Sequence, residues 1–94
     1  MTVATTFSSA ELGIDAPLVT VEAVVSSGLP KTLIVGLAET AVRESKDRVK
    51  AAITSSGFEY PSRRITVNLA PADLPKSTGR YDLAIAVSIL AASN

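Results

Sequence analysis

The segment from Leu18 to Ser26 constrains the fold most strongly, because β-branched residues recur through it in strict alternation. Successive side chains of a strand point to opposite faces of a sheet, and β-branched side chains fit such a pleated surface well. One face then carries Val19, Val21, Ala23 and Val25, whereas the other carries Thr20, Glu22 and Val24. The segment therefore predicts a strand with one continuous apolar face, so the fold must contain a sheet.

Two further strands are predicted on either side of this one. Residues 3–9 also alternate, and Gly13 and Pro17 then mark a turn before the next strand. After the small and turn-forming residues 26–30, residues 32–36 read as a third, short and mostly buried strand. Three consecutive strands joined by short turns predict an antiparallel meander.

From Glu39 onward the apolar spacing changes to that of a helix. One stripe of small and apolar side chains holds Ala38, Val42, Ser45, Val49, Ala52 and Ile53. Charged residues lie away from this stripe, and their i,i+4 pairs, such as Glu44 with Arg48, each contribute a few tenths of a kcal/mol at most. Gly57 is predicted to follow the C-cap of the helix. The charged side is interpreted as a solvated helix face.

A fourth strand and a second helix complete the pattern. Residues 64–69 alternate between polar and apolar side chains, and Asp82 is a predicted N-cap for an almost wholly apolar helix over residues 83–92. Such a helix is normally buried on more than one side. It runs to Asn94 without a glycine or proline stop signal. We expect the natural protein to continue with at least one more strand, and residues 1–94 alone to self-associate through an uncovered apolar stripe.

The residue types that the chain lacks exclude several chemistries. It has no Cys and no His, so zinc chemistry and Ser-His-Asp catalysis are ruled out within it. Nine Lys and Arg balance nine Asp and Glu, which leaves no global basic excess for a phosphate backbone or an anionic bilayer. No apolar run approaches the roughly 20 residues that span a bilayer, and the N-terminus lacks a basic signal region. We expect a single cytoplasmic domain over residues 1–94, with no metal and no membrane partner.

A polar cluster in or beside the loop between the fourth strand and the last helix is the first candidate functional site. Its members are Asn68, Asp73, Lys76, Arg80 and Asp82, with residues 77–79 between them. A phosphate-binding loop is disfavoured, because the pattern G-x-x-x-x-G-K-[ST] needs two glycines and the single glycine here follows the lysine. A nucleophile pair of Ser77 and Lys76 would need a desolvated lysine aimed at the hydroxyl, which adjacent loop side chains seldom achieve. The third interpretation is a structural loop in which the two aspartates hold Arg80 and Lys76.

The dibasic pair Arg63 and Arg64 is the second candidate. It enters the fourth strand beside Tyr60 and near Lys50 of the preceding helix. Two arginines can contact a phosphate, but a charged pair is more often the solvated edge of a strand. The chain has only four aromatic residues, too scattered for a base-stacking platform of the RRM type.

Several strings in this chain resemble the N-terminus of the Mg-chelatase-like AAA+ proteins of the ComM/YifB family. They are GIDAPLVTVE at residues 13–22, GLP at 28–30, IVGL at 34–37, AVRES at 41–45, AAI at 51–53 and GF at 57–58. The strings RRITVNLAPADLPK at 63–76 and RYDL at 80–83 continue the resemblance in register. It covers nearly the whole chain.

The resemblance implies a fold of the Lon-protease C-terminal type, related to a ribosomal-protein domain. This is an α+β two-layer sandwich of order β-β-β-α-β-α, with a mixed sheet and helices on one face, here expected to be incomplete at the C-terminus. In the family the domain precedes an ATPase module that binds ATP and Mg²⁺. Aligning the loop with the Lon pattern P-K-D-G-P-S-A-G places Arg80 at the position of the nucleophile, and an arginine cannot attack a carbonyl.

The function that the resemblance implies is that of a non-catalytic accessory domain without a cofactor of its own. Family members are described as hexameric helicases that promote DNA branch migration during natural transformation. The domain would then serve ring assembly, or docking of DNA or of a partner, next to its own AAA+ module. Two alternatives stay open: a divergent peptidase that uses Ser77 and Lys76, and a stand-alone nucleic-acid-binding module. A net charge of zero argues against the second alternative.

Overall fold

The computed structural model describes residues 2–9, 18–70 and 81–93 of the chain. Six helices and strands follow one another within these residues. They are β1 (Thr2–Ser9), β2 (Leu18–Ser26), β3 (Lys31–Val35), α1 (Glu39–Ser55), β4 (Arg64–Ala70) and α2 (Asp82–Ala92). This order confirms the predicted α+β arrangement. The segments with alternating apolar residues are strands, and the segments predicted to be helical are helices.

The strands form a mixed four-stranded sheet in the order β1-β2-β4-β3. β2 pairs antiparallel with both β1 and β4, whereas β3 pairs with β4 in parallel. The predicted meander is therefore wrong for β3, which is separated from β2 by the later strand. The reason is the helical connection between β3 and β4: a parallel pair needs a long crossover, and α1 supplies it.

The core lies between one face of this sheet and the two helices. Alternate residues of β2 and β4 face each other across the ladder, as in the pair Val21 and Leu69 and the pair Ala23 and Val67. These four side chains are at most 3% exposed and form one buried cluster with residues of both helices. On the other face of the sheet, Glu22 and Asn68 are exposed. The fold is thus compatible with a two-layer sandwich.

Helix α2 packs against β1, β2 and α1, so its burial on more than one side is confirmed. Ile85 and Ile89 are fully buried, whereas Leu83 and Val87 are 76% and 44% exposed. Buried Ser88 hydrogen-bonds to the hydroxyl of Thr6, and the same threonine hydroxyl donates to the Ala84 carbonyl at 3.3 Å. These polar contacts fasten edge strand β1 to the helix.

Helix α1 buries a narrower stripe than its sequence predicts. Ser45, Val49 and Ile53 are buried, but Ala52 is exposed because it lies at the outer margin of the stripe at 100° per residue. Gly57, at φ +90°, follows the C-cap as predicted. Its N–H donates to the Thr54 carbonyl, and the next N–H, that of residue 58, donates to the Ile53 carbonyl. This Schellman arrangement satisfies the last carbonyls and turns the chain sharply out of the helix.

Candidate functional site

The polar cluster around the last loop is only partly within the described residues. Asp73, Lys76 and Arg80 lie outside them, as does the predicted pairing of Arg80 with an aspartate. Asn68 is exposed on β4, on the sheet face opposite the helices, whereas Asp82 begins α2 within the helical layer. These two side chains therefore do not share one site.

Asp82 joins the two helices. Its Oδ1 accepts a hydrogen bond of 2.8 Å from Ser45 Oγ, and its Oδ2 accepts one of 2.6 Å from Arg48 Nε. The hydrogen bond to Asp82 is the main cause that raises the pKa of Arg48 above its ordinary value. The N-cap predicted for Asp82 is wrong: Tyr81 occupies that position without a side-chain cap. The carboxylate instead satisfies the hydroxyl of Ser45, the one polar member of the buried stripe on α1.

The Asp82→Ala variant is expected to lose about 1–3 kcal/mol of its free energy of unfolding, because the Ser45 hydroxyl would lose its partner in a buried position. Ser45 is only 2% exposed, so water does not readily replace the lost carboxylate. Urea denaturation followed by circular dichroism measures the loss. The matched control is Asp47→Ala, which removes an exposed carboxylate and should change stability by at most about 0.5 kcal/mol. Equal losses in the two variants would contradict a structural role for Asp82.

A basic cleft of about 400 Å³ lies where the start of β3, the middle of α1 and the segment before β4 converge. Its lining side chains come from all three segments: Pro30, Lys31, Thr32, Lys46, Asp47, Lys50, Tyr60, Pro61, Ser62 and Arg63. Four of these residues are cationic and one is a carboxylate. Within the described ranges, none of the four cations forms an ion pair with a carboxylate. Among the described residues, the basic cleft is thus a site suited to an anionic ligand.

Tyr60 forms a fixed wall of the basic cleft. Its hydroxyl lies 2.7 Å from Thr32 Oγ1, and Lys50 Nζ stands 5.7 Å from the centre of its ring. Burial raises the pKa of the Tyr60 hydroxyl, and the hydrogen bond to Thr32 opposes that shift. The backbone nearby is also tied, since the Lys31 N–H donates to the Arg63 carbonyl at 3.3 Å.

The basic cleft unites some predicted residues and adds others. Arg63 lines it together with Tyr60 and Lys50, as their proximity in sequence indicated, while exposed Arg64 pairs with Lys31 across the β3–β4 ladder. Sequence reasoning missed Lys31 and Lys46. Lys46 was detectable from its i,i+4 spacing to Lys50. Lys31 was not, because its position depends on the parallel pairing of β3 with β4.

Two other classes of site are absent from the described part of the chain. Residues 2–9, 18–70 and 81–93 contain no group of three or more acidic side chains placed to hold a metal ion. In the same ranges neither helix has the length and apolar character needed to cross a bilayer.

Comparison with known proteins gives a consistent family. Residues 21–94 match the family model described as subunit ChlI of Mg-chelatase. The chain is 56% identical over 93 residues to the uncharacterized protein YifB of Escherichia coli K12, which covers 99% of this chain and 18% of YifB. It is 54% identical over 94 residues to the competence protein ComM of Haemophilus influenzae, again 18% of that protein. An uncharacterized protein of Mycobacterium bovis is 46% identical over 86 residues, which is 92% of this chain and 17% of that protein.

The chain thus spans less than a fifth of the length of these relatives, while they match it from end to end or nearly so. The family model extends from β2 through α2 and includes the whole of the basic cleft. A family match over most of the chain, together with identities above half to two relatives, leads to one conclusion: this chain belongs to the Mg-chelatase ChlI family that includes YifB and ComM.

Proposed function

We propose that this chain is the N-terminal accessory domain, non-catalytic in itself, of a Mg-chelatase-like AAA+ ATPase. The observation that carries the proposal is the combination of 54% identity over the whole chain with coverage of only 18% of the competence protein ComM. A chain that is so similar to its relative, and covers so small a share of that relative's length, corresponds to one part of a larger protein. Residues 1–94 form all or part of a single domain in this proposal, and the ATPase module lies outside them.

A Lon-like fold is the finer structural proposal. It is supported by the element order β-β-β-α-β-α, by the parallel β3–β4 pair within a mixed sheet and by both helices sharing one core. Arg80, at the position of the Lon nucleophile, supports loss of peptidase chemistry. A divergent Ser77–Lys76 peptidase is the competing hypothesis, and labelling of the chain by a serine-reactive phosphonate would favour it.

The proposed partners follow from the same family membership. ATP and Mg²⁺ would bind the downstream module, and the whole protein would assemble as a hexamer in the cytoplasm and act on DNA, as a branch-migration helicase does. Leu83 and Val87 form an exposed apolar stripe at i,i+4 on α2, which supports contact of that helix with the chain's own downstream module. The accessory domain would then contribute to ring assembly and to docking of DNA.

ATP hydrolysis tests the division of labour. The 94-residue chain with ATP and Mg²⁺ is expected to release no phosphate above buffer, because it lacks the G-x-x-x-x-G-K-[ST] loop. The longer protein that carries this chain is expected to hydrolyse ATP, and to keep basal hydrolysis but lose its stimulation by DNA when the 94 residues are removed. Loss of basal hydrolysis on removal, or hydrolysis by the chain alone, would contradict the proposal.

A further inference from the structure

We propose that the basic cleft and the exposed ring of Phe58 together bind single-stranded nucleic acid, with backbone phosphates along the cleft and one unpaired base stacked on the ring. The inference deepens the proposed function, on which it rests only for its biological setting, because it assigns the DNA-docking role to particular residues. Its physical evidence is the positive charge of the basic cleft, the second cavity that adjoins this cleft, and the exposed ring of Phe58.

The basic cleft has a positive net charge, although the net charge of the whole chain is zero. Nine cations and nine carboxylates balance over the full sequence, yet the basic cleft holds Lys31, Lys46, Lys50 and Arg63 against Asp47 alone. Four positive charges less one negative charge leave a local excess of three. Because walls of low dielectric focus the field of such a cluster, the net charge of zero does not argue against local binding of a polyanion.

The shape of the groove fits an extended ligand better than a small anion. A second cavity of about 590 Å³ adjoins the basic cleft, and the two share Tyr60, Pro61, Ser62 and Arg63 in their linings. The two cavities thus meet along residues 60–63, and we call them together the groove, which extends from the cluster of cations to the end of α1. Lysines and an arginine spaced along an open groove match the repeating phosphates of a backbone.

Phe58 provides the surface that distinguishes an unpaired strand from a duplex. It lines the second cavity with its side chain 55% exposed, although the backbone is held by the Phe58 N–H bond of 3.2 Å to Ile53. The ring of Tyr60, in contrast, already lies beneath Lys50 Nζ, and its hydroxyl is hydrogen-bonded to Thr32. An exposed ring on a fixed backbone beside a basic groove is a stacking platform for a base, and bases within a duplex cannot reach it.

Glu59 makes the two ends of the groove differ in charge. This residue lines the second cavity but not the basic cleft, so the end of the groove near Phe58 is less positive than the end near Lys46. Phosphates are therefore favoured at the cationic end and the uncharged face of a base at the aromatic end. The groove thus separates backbone binding from base stacking.

Fluorescence anisotropy with a labelled single-stranded oligothymidine of about 15 nucleotides tests the proposal. Binding to the chain is expected to weaken as salt rises from about 50 to 200 mM, and Lys46→Ala and Arg63→Ala should each lower the log–log salt slope by about 0.7. Phe58→Ala should weaken binding roughly 5- to 150-fold at constant salt slope, the effect of one lost stacking contact. A duplex of the same length should bind more weakly than the single strand and be insensitive to Phe58→Ala.

Two exposed residues outside the groove supply matched controls. Arg43→Ala removes a cation from α1, and Leu29→Ala removes a side chain that is 86% exposed. Both variants should bind the oligonucleotide as the unaltered chain does, and far-ultraviolet circular dichroism should give the same spectrum for all variants. Lys46→Arg should retain binding because it retains the charge.

Several results would overturn the proposal. They are absence of binding at low salt, equal loss in Arg43→Ala and Lys46→Ala, no effect of Phe58→Ala, or displacement of the oligonucleotide by polyglutamate as effectively as by unlabelled single strand. The last would mean that the groove selects acidic polypeptide by charge alone. The ATP-hydrolysis test of the longer protein is independent of all four, so failure of the groove and failure of the proposed function are distinguishable.

Discussion

The Gly36→Ala variant is expected to lose about 3 kcal/mol or more of its free energy of unfolding. Gly36 follows β3 directly and has φ +109°, a conformation that L side chains rarely adopt. A Cβ placed there would lie 2.4 Å from the Leu69 carbonyl oxygen and 3.1 Å from Leu69 Cβ. Because Leu69 is buried in the central strand, neither side of the contact can move without disturbing the β3–β4 end of the sheet.

The Gly57→Ala variant separates the clash from the backbone strain. Gly57 also has positive φ, at +90°, but no heavy atom lies within 4 Å of the position its Cβ would take. That variant should cost only the conformational strain, about 1–2 kcal/mol. Urea midpoints of the two variants, measured by circular dichroism at equal protein concentration, give the difference. If Gly57→Ala is as destabilising as Gly36→Ala, the close approach of β3 to Leu69 is not the cause.

Local patterns predicted the elements because each pattern is a property of one segment. The alternation in Leu18–Ser26 set the buried face of β2, and all four residues assigned to that face are 0% exposed. The turn chemistry of Gly57 set the end of α1 in the same way. In these cases a face or a boundary follows from side chains a few positions apart, and tertiary packing reinforced the local preference.

The sheet order could not be predicted in this way, because pairing joins segments distant in sequence. Nothing in residues 26–30 indicates that β3 avoids β2 and pairs in parallel with β4 instead. That choice places Ile65 and Val67 in a central strand, where both are fully buried. Burial of the apolar face of β4 in the middle of the sheet thus outweighed the short connection that favoured a meander.

The candidate sites show the same difference between features set by local sequence and features set by tertiary structure. Arg63, Tyr60 and Lys50 were predictable as neighbours because sequence and the helix end bring them together, whereas Lys31 enters the basic cleft only through the β3–β4 pairing. The partner of Asp82 also required tertiary structure, although a serine within an apolar helical stripe signalled that a polar partner was needed. The roles of Asp73, Lys76 and Arg80 stay predictions.

The Ile85→Ala variant is expected to lose about 2–5 kcal/mol of its free energy of unfolding. Ile85 is 0% exposed on α2, the helix that packs against β1, β2 and α1. Removing its side chain forfeits the transfer free energy of the buried methyl and methylene groups and leaves a cavity among elements that cannot all close upon it. For a domain of this size, that loss corresponds to a decrease in Tm of roughly 10 °C or more.

Leu83→Ala is the matched control, because it removes a side chain of the same composition two positions earlier on the same helix. Leu83 is 76% exposed, so the variant should change stability by at most about 0.5 kcal/mol. Both are large aliphatic side chains, and the orientation of α2 makes one of them buried and the other exposed. Thermal unfolding of both variants at low protein concentration, where association is negligible, therefore measures which side of this apolar helix the sheet covers. Comparable decreases in Tm would mean that α2 is rotated about its axis so that Leu83 belongs to the core, which would contradict the packing of this helix.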